Sequence, residues 1–213
     1  MYRLYYYPGN ANLAPLMLLE ELTLKYELVL VDREKHEHRS AEYLKLNPNG
    51  RIPTLIDGDL VLYEMAAICL HLVDGHPEAG LAPSLGTTIR AEFYKWLIYL
   101  TNTLQAELIT YFYPERLADD AAAIAQVKVH AETRVGTMLD LIERTIAEHG
   151  KPYLLGERYT AVDPYLLMLC RWTRMMHNPA CQRPNLGRFL QMMVKRPAIQ
   201  RAFEQEGLSA PLF

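Results

Sequence analysis

Residues 47–72 read "NPNGRIPTLIDGDLVLYEMAAICLHL". Asn47-Pro48-Asn49-Gly50 is a dense turn cluster, the composition that ends one element and redirects the chain. Two strand-like runs follow, "RIPTLID" and "LVLYE", on either side of Asp57-Gly58-Asp59, which is a β-hairpin pattern. Pro53 removes a ladder donor, so it fits only the start or the edge of a strand. From Glu64 to Val73 the chain is apolar and helical, with an acid at its head, where a negative charge suits the helix dipole.

Toward the N-terminus, residues 2–7 form a short tyrosine-rich β run. Leu13, Leu16, Met17, Leu19 and Leu22 then make a helical stripe with a Glu20-Glu21 edge. "YELVLVD" (26–32) is a near-continuous apolar run of strand length, the expectation for a strand buried on both faces. Residues 33–46 are polar and then helical. The order β-α-β-α-β-β-α describes an α/β domain on a mixed sheet. Toward the C-terminus, "DGHPEAGLAPSLGTT" (74–88) collects Gly, Pro and Ser, and no strand pattern follows it. Helical patterns cover 89–117, 119–149, 162–177 and 186–196. The expected organisation is an α/β domain at 1–77, a linker at 78–88 and an all-helical domain at 89–213.

Composition narrows the partners. The chain has 213 residues, half of them hydrophobic, and a net charge of −3, so no broad positive field draws nucleic acid. Cys69, Cys170 and Cys181 are far apart and lack metal-ligand spacing, which suggests neither a disulfide framework nor a zinc site. No signal-peptide pattern and no apolar run of about 20 residues is present, so the expectation is a cytoplasmic protein with no membrane role. Small molecules or proteins are the expected partners. The run "REKHEHR" (33–39) reads as a solvated edge.

The corner "LYYYPGNANLAP" (4–15) passes from strand to helix, where exposed helix N–H groups receive ligands. Its candidate donors are Asn12, Asn10 and Tyr6. Asn is also a preferred helix N-cap, and Tyr6 also suits core packing on the strand face it shares with Tyr2 and Leu4. Further along, Thr160-x-x-Asp163 has the spacing of a capping box, in which Thr160 accepts from the Asp163 N–H and Asp163 reaches back to the Thr160 N–H.

Four stretches in this order, "LYYYPGNANLAP", "NPNGRIPTL", "LYEMAAICLHL" and "YLLGERYTAVDPYLL", resemble the soluble bacterial glutathione S-transferases over essentially the whole chain. The resemblance implies a thioredoxin-like N-terminal domain, a C-terminal helical bundle and a cytoplasmic homodimer. It implies glutathione as co-substrate, no metal, and transfer of its thiolate to a small electrophile, aromatic or apolar. Under it, Pro53 is cis and turns Ile52, beside Arg51, toward the cysteinyl main chain. Glu64-Met65 stands where relatives carry Glu-Ser for the γ-glutamyl carboxylate, and Lys35 is the candidate for the glycyl carboxylate.

At the corner, Ala11 and Asn12 occupy the positions of the cysteine and serine of the cysteine-using class. That removes covalent cysteine chemistry and leaves Asn12 as the favoured thiolate donor, with Tyr6 and Asn10 as alternates. The acceptor pocket is expected along "AELITYFYPER", from Leu108, Tyr111, Phe112, Tyr113 and Arg116. The histidine which that class carries on this helix is matched by Gln105. Two other readings stay open: glutathione-dependent reduction of disulfides or peroxides, and a non-enzymatic module that binds a protein partner.

Overall fold

The computed structural model describes residues 1–213, and the chain forms two compact units. The first unit begins with β1 (Tyr2–Tyr6), α1 (Leu13–Glu21), β2 (Tyr26–Leu30), α2 (Ala41–Leu46), β3 (Thr54–Asp57), β4 (Leu60–Tyr63) and α3 (Met65–Asp74). The sheet order is β2-β1-β3-β4, with β1 parallel to β2 and antiparallel to β3, and β3 antiparallel to β4. Gly58 and Asp59 alone separate the paired residues Asp57 and Leu60, and Gly58 supplies the positive φ of 58° that this two-residue turn needs. The expectation for β2 is corrected here. It is an edge strand, and Leu30 remains 51% exposed, because apolar composition alone does not distinguish a central strand from an edge. The polar stretch after it forms loop and a short 3₁₀ turn before α2 starts at Ala41, capped by the Ser40 hydroxyl on the Tyr43 N–H (3.1 Å).

The second unit runs from Pro83 to Met193 and includes Pro211–Phe213. It contains α4 (Thr88–Ile98), α5 (Ala106–Phe112), α6 (Ala121–His149), α7 (Val162–Trp172) and α8 (Pro184–Met193). The single helix expected over 89–117 is interrupted by a π-helical segment, Tyr99–Gln105. The hydroxyl of buried Tyr165 meets both Thr101 and Gln105 there, so two polar side chains of the widened turns share one partner. α6 buries the stripe Ala131, Val135, Leu139, Ile142 and Ile146, and Asp120 caps it on the N–H groups of Ala122 and Ala123. α7 is buried from Val162 through Arg171, its charged Asp163 and Arg171 included.

At the head of α7, Asp163 accepts from the N–H groups of Thr160 (2.7 Å) and Leu154 (3.0 Å). The other half of the capping box differs from expectation. The Thr160 hydroxyl donates to Asp163 (3.3 Å), and the Asp163 N–H goes to the Thr160 carbonyl (3.0 Å).

The chain then leaves the helical unit. Val194–Ala210, with α9 (Pro197–Gln205), belongs to the first unit, so the boundary expected to enclose all of 89–213 in one helical domain does not describe this segment. α9 lies on α1, held by Arg196 on Glu21 (2.7 Å) and Arg201 on Glu20 (2.5 Å). α9 completes the burial of α1, in which Leu13 to Leu19 are all enclosed. No helix is long and apolar enough to cross a membrane.

Candidate functional site

Strand register builds the site. Tyr6 pairs with Leu30, Tyr5 with Thr54, and Thr54 with Tyr63. The segments that follow β1, β2 and β4, and the one that precedes β3, therefore emerge at one end of the sheet. In open α/β sheets this is where ligands bind.

The segment before β3 is held by side-chain hydrogen bonds. Asn47, itself buried, donates to the Arg51 carbonyl (2.8 Å) and accepts from the Asn49 N–H (3.1 Å). The Tyr43 hydroxyl reaches the same carbonyl (2.6 Å) and Thr54 (3.0 Å), and burial raises its pKa, so it remains a phenol. Gly50 is required here, since a Cβ would lie 2.8 Å from the His38 carbonyl oxygen. The Ile52–Pro53 bond is cis. Pro53 is buried, Ile52 partly exposed and Arg51 exposed, and the ladder begins only at Thr54, so the Ile52 backbone lies outside the sheet.

After β4, Glu64 adopts φ 70°, ψ 109°, a region that a residue with a Cβ rarely occupies. Its exposed side chain caps nothing, and the first backbone bond of α3 runs from the Ile68 N–H to the Glu64 carbonyl (3.0 Å). The first N–H groups of α3 are thus a positive helix end beside an exposed carboxylate. Met65 is buried, and its side chain brings no donor.

At the corner after β1, the outcome for Asn12 differs from expectation. Asn12 has no exposed surface. Its Oδ1 accepts from the Tyr7 N–H (3.1 Å) and its Nδ2 donates to Glu206. It does not cap α1 either. An enclosed amide bonded at both its oxygen and its nitrogen is a structural tie within the corner. Asn10 is partly exposed; its Oδ1 accepts from Arg33 Nη1 (2.9 Å), which leaves its amide N–H groups with only a long contact to the Pro8 carbonyl (3.4 Å). Tyr6 is partly exposed on the face it shares with Leu4.

Lys35 is 76% exposed and pairs with Asp32 (2.9 Å); the pair raises the lysine and lowers the carboxyl. Slight burial and the carboxylates of Glu34 and Asp32 raise Tyr7. Arg33 was not singled out in the sequence. It sits inside a charge run, and its hydrogen bond to Asn10 places it beside the corner.

The N-terminal domain model of the glutathione S-transferases matches residues 1–74, and the C-terminal domain model matches residues 95–206. The chain belongs to the glutathione S-transferase family. It is 28% identical over 207 residues to the glutathione S-transferase GST-4.5 of Xanthomonas campestris, covering 97% of this chain and all of that one. It is 34% identical over 174 residues to the GST-like protein YncG of Escherichia coli, covering 81% and 82% of the two chains. A crystal structure of a Sulfitobacter glutathione transferase homologue with bound glutathione superimposes with a TM-score of 0.88 at 28% identity, covering 98% and 99% of the two chains.

In the helical unit of this transferase, the expected pocket residues divide by exposure. Leu108 has no exposed surface and Tyr111 is buried, its hydroxyl raised by burial and by Glu132. Leu108 is therefore core and not a lining residue. Phe112 is exposed and packs edge-on against Tyr111 and Trp172, while the Arg116 guanidinium lies 4.0 Å from the Tyr113 ring centre. Gln105 accepts from the Tyr165 hydroxyl (2.5 Å). Burial pushes the Cys69 and Cys170 thiols up, which leaves both protonated.

Proposed function

We propose that this transferase binds glutathione along the sheet end described above and directs its thiolate at a small electrophile. The observation that carries the proposal is the convergence, imposed by strand register, of a cis-proline loop, an uncapped helix head and a donor-rich corner. Glutathione has three parts that match them. Its γ-glutamyl end is a zwitterion, suited to the Glu64 carboxylate beside the Met65 N–H. Its cysteinyl amide suits the Ile52 backbone, with Arg51 and Pro53 holding that segment. Its glycyl carboxylate suits a cation of the loop after β2, Lys35 or Arg33.

The thiol needs stabilisation as thiolate. With a pKa of about 8.5, only roughly 3% is ionised at neutral pH. A hydrogen bond to a charged acceptor contributes about 1.5–3 kcal/mol and a helix N-terminus about 0.3–1 kcal/mol. Together, at about 1.36 kcal/mol per unit, they lower the pKa by about 1.3–3 units, enough to ionise roughly 40% of the thiol or more at neutral pH. Asn10, with Tyr6 as alternate, supplies the donor, and α1 supplies the positive end. Phe112, Tyr113 and Arg116 are the proposed contacts for the electrophile, an aromatic wall with one cation. The reading includes a homodimer, supported by exposed Leu60 and Val61 on the edge strand β4.

A calorimetric titration with glutathione, with thiolate absorbance followed across pH, tests the proposal. Binding with a thiol pKa near 7 is expected. No heat at millimolar glutathione would refute it. A second test concerns Met65. Met65→Ser adds the hydroxyl that relatives have and should tighten glutathione binding about fivefold, the equivalent of about 1 kcal/mol. The same change removes a buried side chain and should cost about 2–3 kcal/mol of stability, visible in urea unfolding. Unchanged affinity would place the γ-glutamyl carboxylate elsewhere.

A further inference from the structure

We propose that Glu206, just past the end of α9, is a positioning residue for the thiol-binding corner, holding the Gly9 amide and the Asn12 side chain in register with the start of α1. The proposal rests on the glutathione reading above. Glu206 is buried, and its two oxygens divide the work: Oε2 accepts from the Gly9 N–H (2.7 Å), and Oε1 accepts from Asn12 Nδ2. The orientation of the Asn12 amide follows from chemistry alone. The Tyr7 N–H can only donate (3.1 Å) and a carboxylate can only accept, so the oxygen must face the first and the nitrogen the second. One carboxylate thus holds the turn Tyr7–Asn12 at two of its points, from 194 positions further along the chain.

Glu206 is also carried on a brace that does not depend on it. α9 is fixed to α1 through Arg196 on Glu21 and Arg201 and Gln205 on Glu20, and to Tyr26 at the start of β2 through Gln205. The helix is therefore anchored at the far end of α1, and Glu206 projects from it to the near end. Buried charge is retained in a fold only where donors satisfy it. Here the donors are the Gly9 N–H and the Asn12 side-chain amide, both in the turn that carries Asn10 and leads into α1. A displacement of Gly9 or Asn12 by a fraction of an ångström re-aims the groups proposed to stabilise the thiolate, and donor placement of that order governs electrostatic catalysis.

The network allows a reciprocal test. In Glu206→Gln, the new amide can still accept from Gly9, but its N–H₂ faces the Asn12 N–H₂. Flipping Asn12 moves the same conflict to the Tyr7 N–H. In Asn12→Asp alone, two carboxylates face each other. In the double variant N12D/E206Q every donor regains an acceptor. The Tyr7 N–H and the amide nitrogen introduced at position 206 donate to the carboxylate introduced at position 12, and the Gly9 N–H donates to the amide oxygen at position 206. Each single substitution should lower kcat/KM at least tenfold and raise the pKa of the bound glutathione thiol, and the double variant should recover to within about threefold of the unaltered chain. Direction separates position from charge, because removing a negative charge alone would lower the thiol pKa in Glu206→Gln. Loss of folded protein would lower the amount of active enzyme without moving that pKa. An E206Q chain with kcat/KM within twofold and an unraised thiol pKa overturns the proposal, as does a double variant no better than the worse single. A parent chain that binds no glutathione overturns the underlying reading instead, before any variant is made.

Discussion

Replacing Glu64 with glycine should make the chain more stable and a much poorer binder of glutathione. A residue with a Cβ held at φ 70°, ψ 109° carries about 1–3 kcal/mol of backbone strain. Glycine relieves most of it, at a cost of about 0.5–1 kcal/mol in added freedom of the unfolded chain. Glu64 makes no cap bond that would be lost. The net gain is about 1 kcal/mol, a rise in Tm of roughly 2–4 °C for a chain of this size. Binding moves the other way. The carboxylate is the proposed partner of the γ-glutamyl ammonium, and a charged hydrogen bond contributes about 1.5–3 kcal/mol, so Kd should rise roughly ten- to a hundredfold. Differential scanning calorimetry and glutathione titration of one preparation read both effects. A variant with lower Tm and intact affinity would show that the conformation serves the fold and that Glu64 plays no part in binding.

The largest expected loss of stability is at Asp163. Its enclosed carboxylate accepts from two backbone N–H groups and the Thr160 hydroxyl, at the head of the helix around which the second unit is packed. Asp163→Ala leaves the donors of Leu154 and Thr160 buried without partners, at about 1–3 kcal/mol for each. The sum is about 2–6 kcal/mol, a large share of the roughly 5–15 kcal/mol typical of a folded protein. Tm should fall by roughly 4–24 °C, and the urea midpoint should move with it. Asp163→Asn keeps one acceptor and should fall between the two. A loss below about 1 kcal/mol would mean that water or a rearranged loop takes up both donors.

Glu64 and Asp163 differ in how they were legible. Thr160-x-x-Asp163 is a local pattern, and spacing was enough to mark the box, although the division of its hydrogen bonds was not. Glu64 was marked by its place at a helix head, but nothing in its neighbours announced a positive φ. Asn12 shows the limit more sharply. A local reading offered a cap or a ligand donor, and the partner that decides between them, Glu206, is 194 positions away. Leu13 to Leu19 are seven consecutive apolar residues, which describes a helix covered on every side and so requires an element such as α9 on its outer face. Leu108 sits at a helical position beside aromatic residues, and periodicity does not say whether the apolar side faces a cavity or the core.

By itself the sequence determined the order of elements in the first unit, the hairpin at Gly58, the proline at the start of β3, the change to an all-helical segment, and the motifs that place the chain in its family. These depend on interactions between residues close in sequence: alternation, turn chemistry and capping. Tertiary structure decided which strand lies at the edge, where the chain returns to its first unit, which side chains of the corner are enclosed, and which face the end of the sheet. Those outcomes depend on pairing and burial between distant segments, and a local pattern leaves several partners equally compatible until the fold brings one of them within hydrogen-bonding reach.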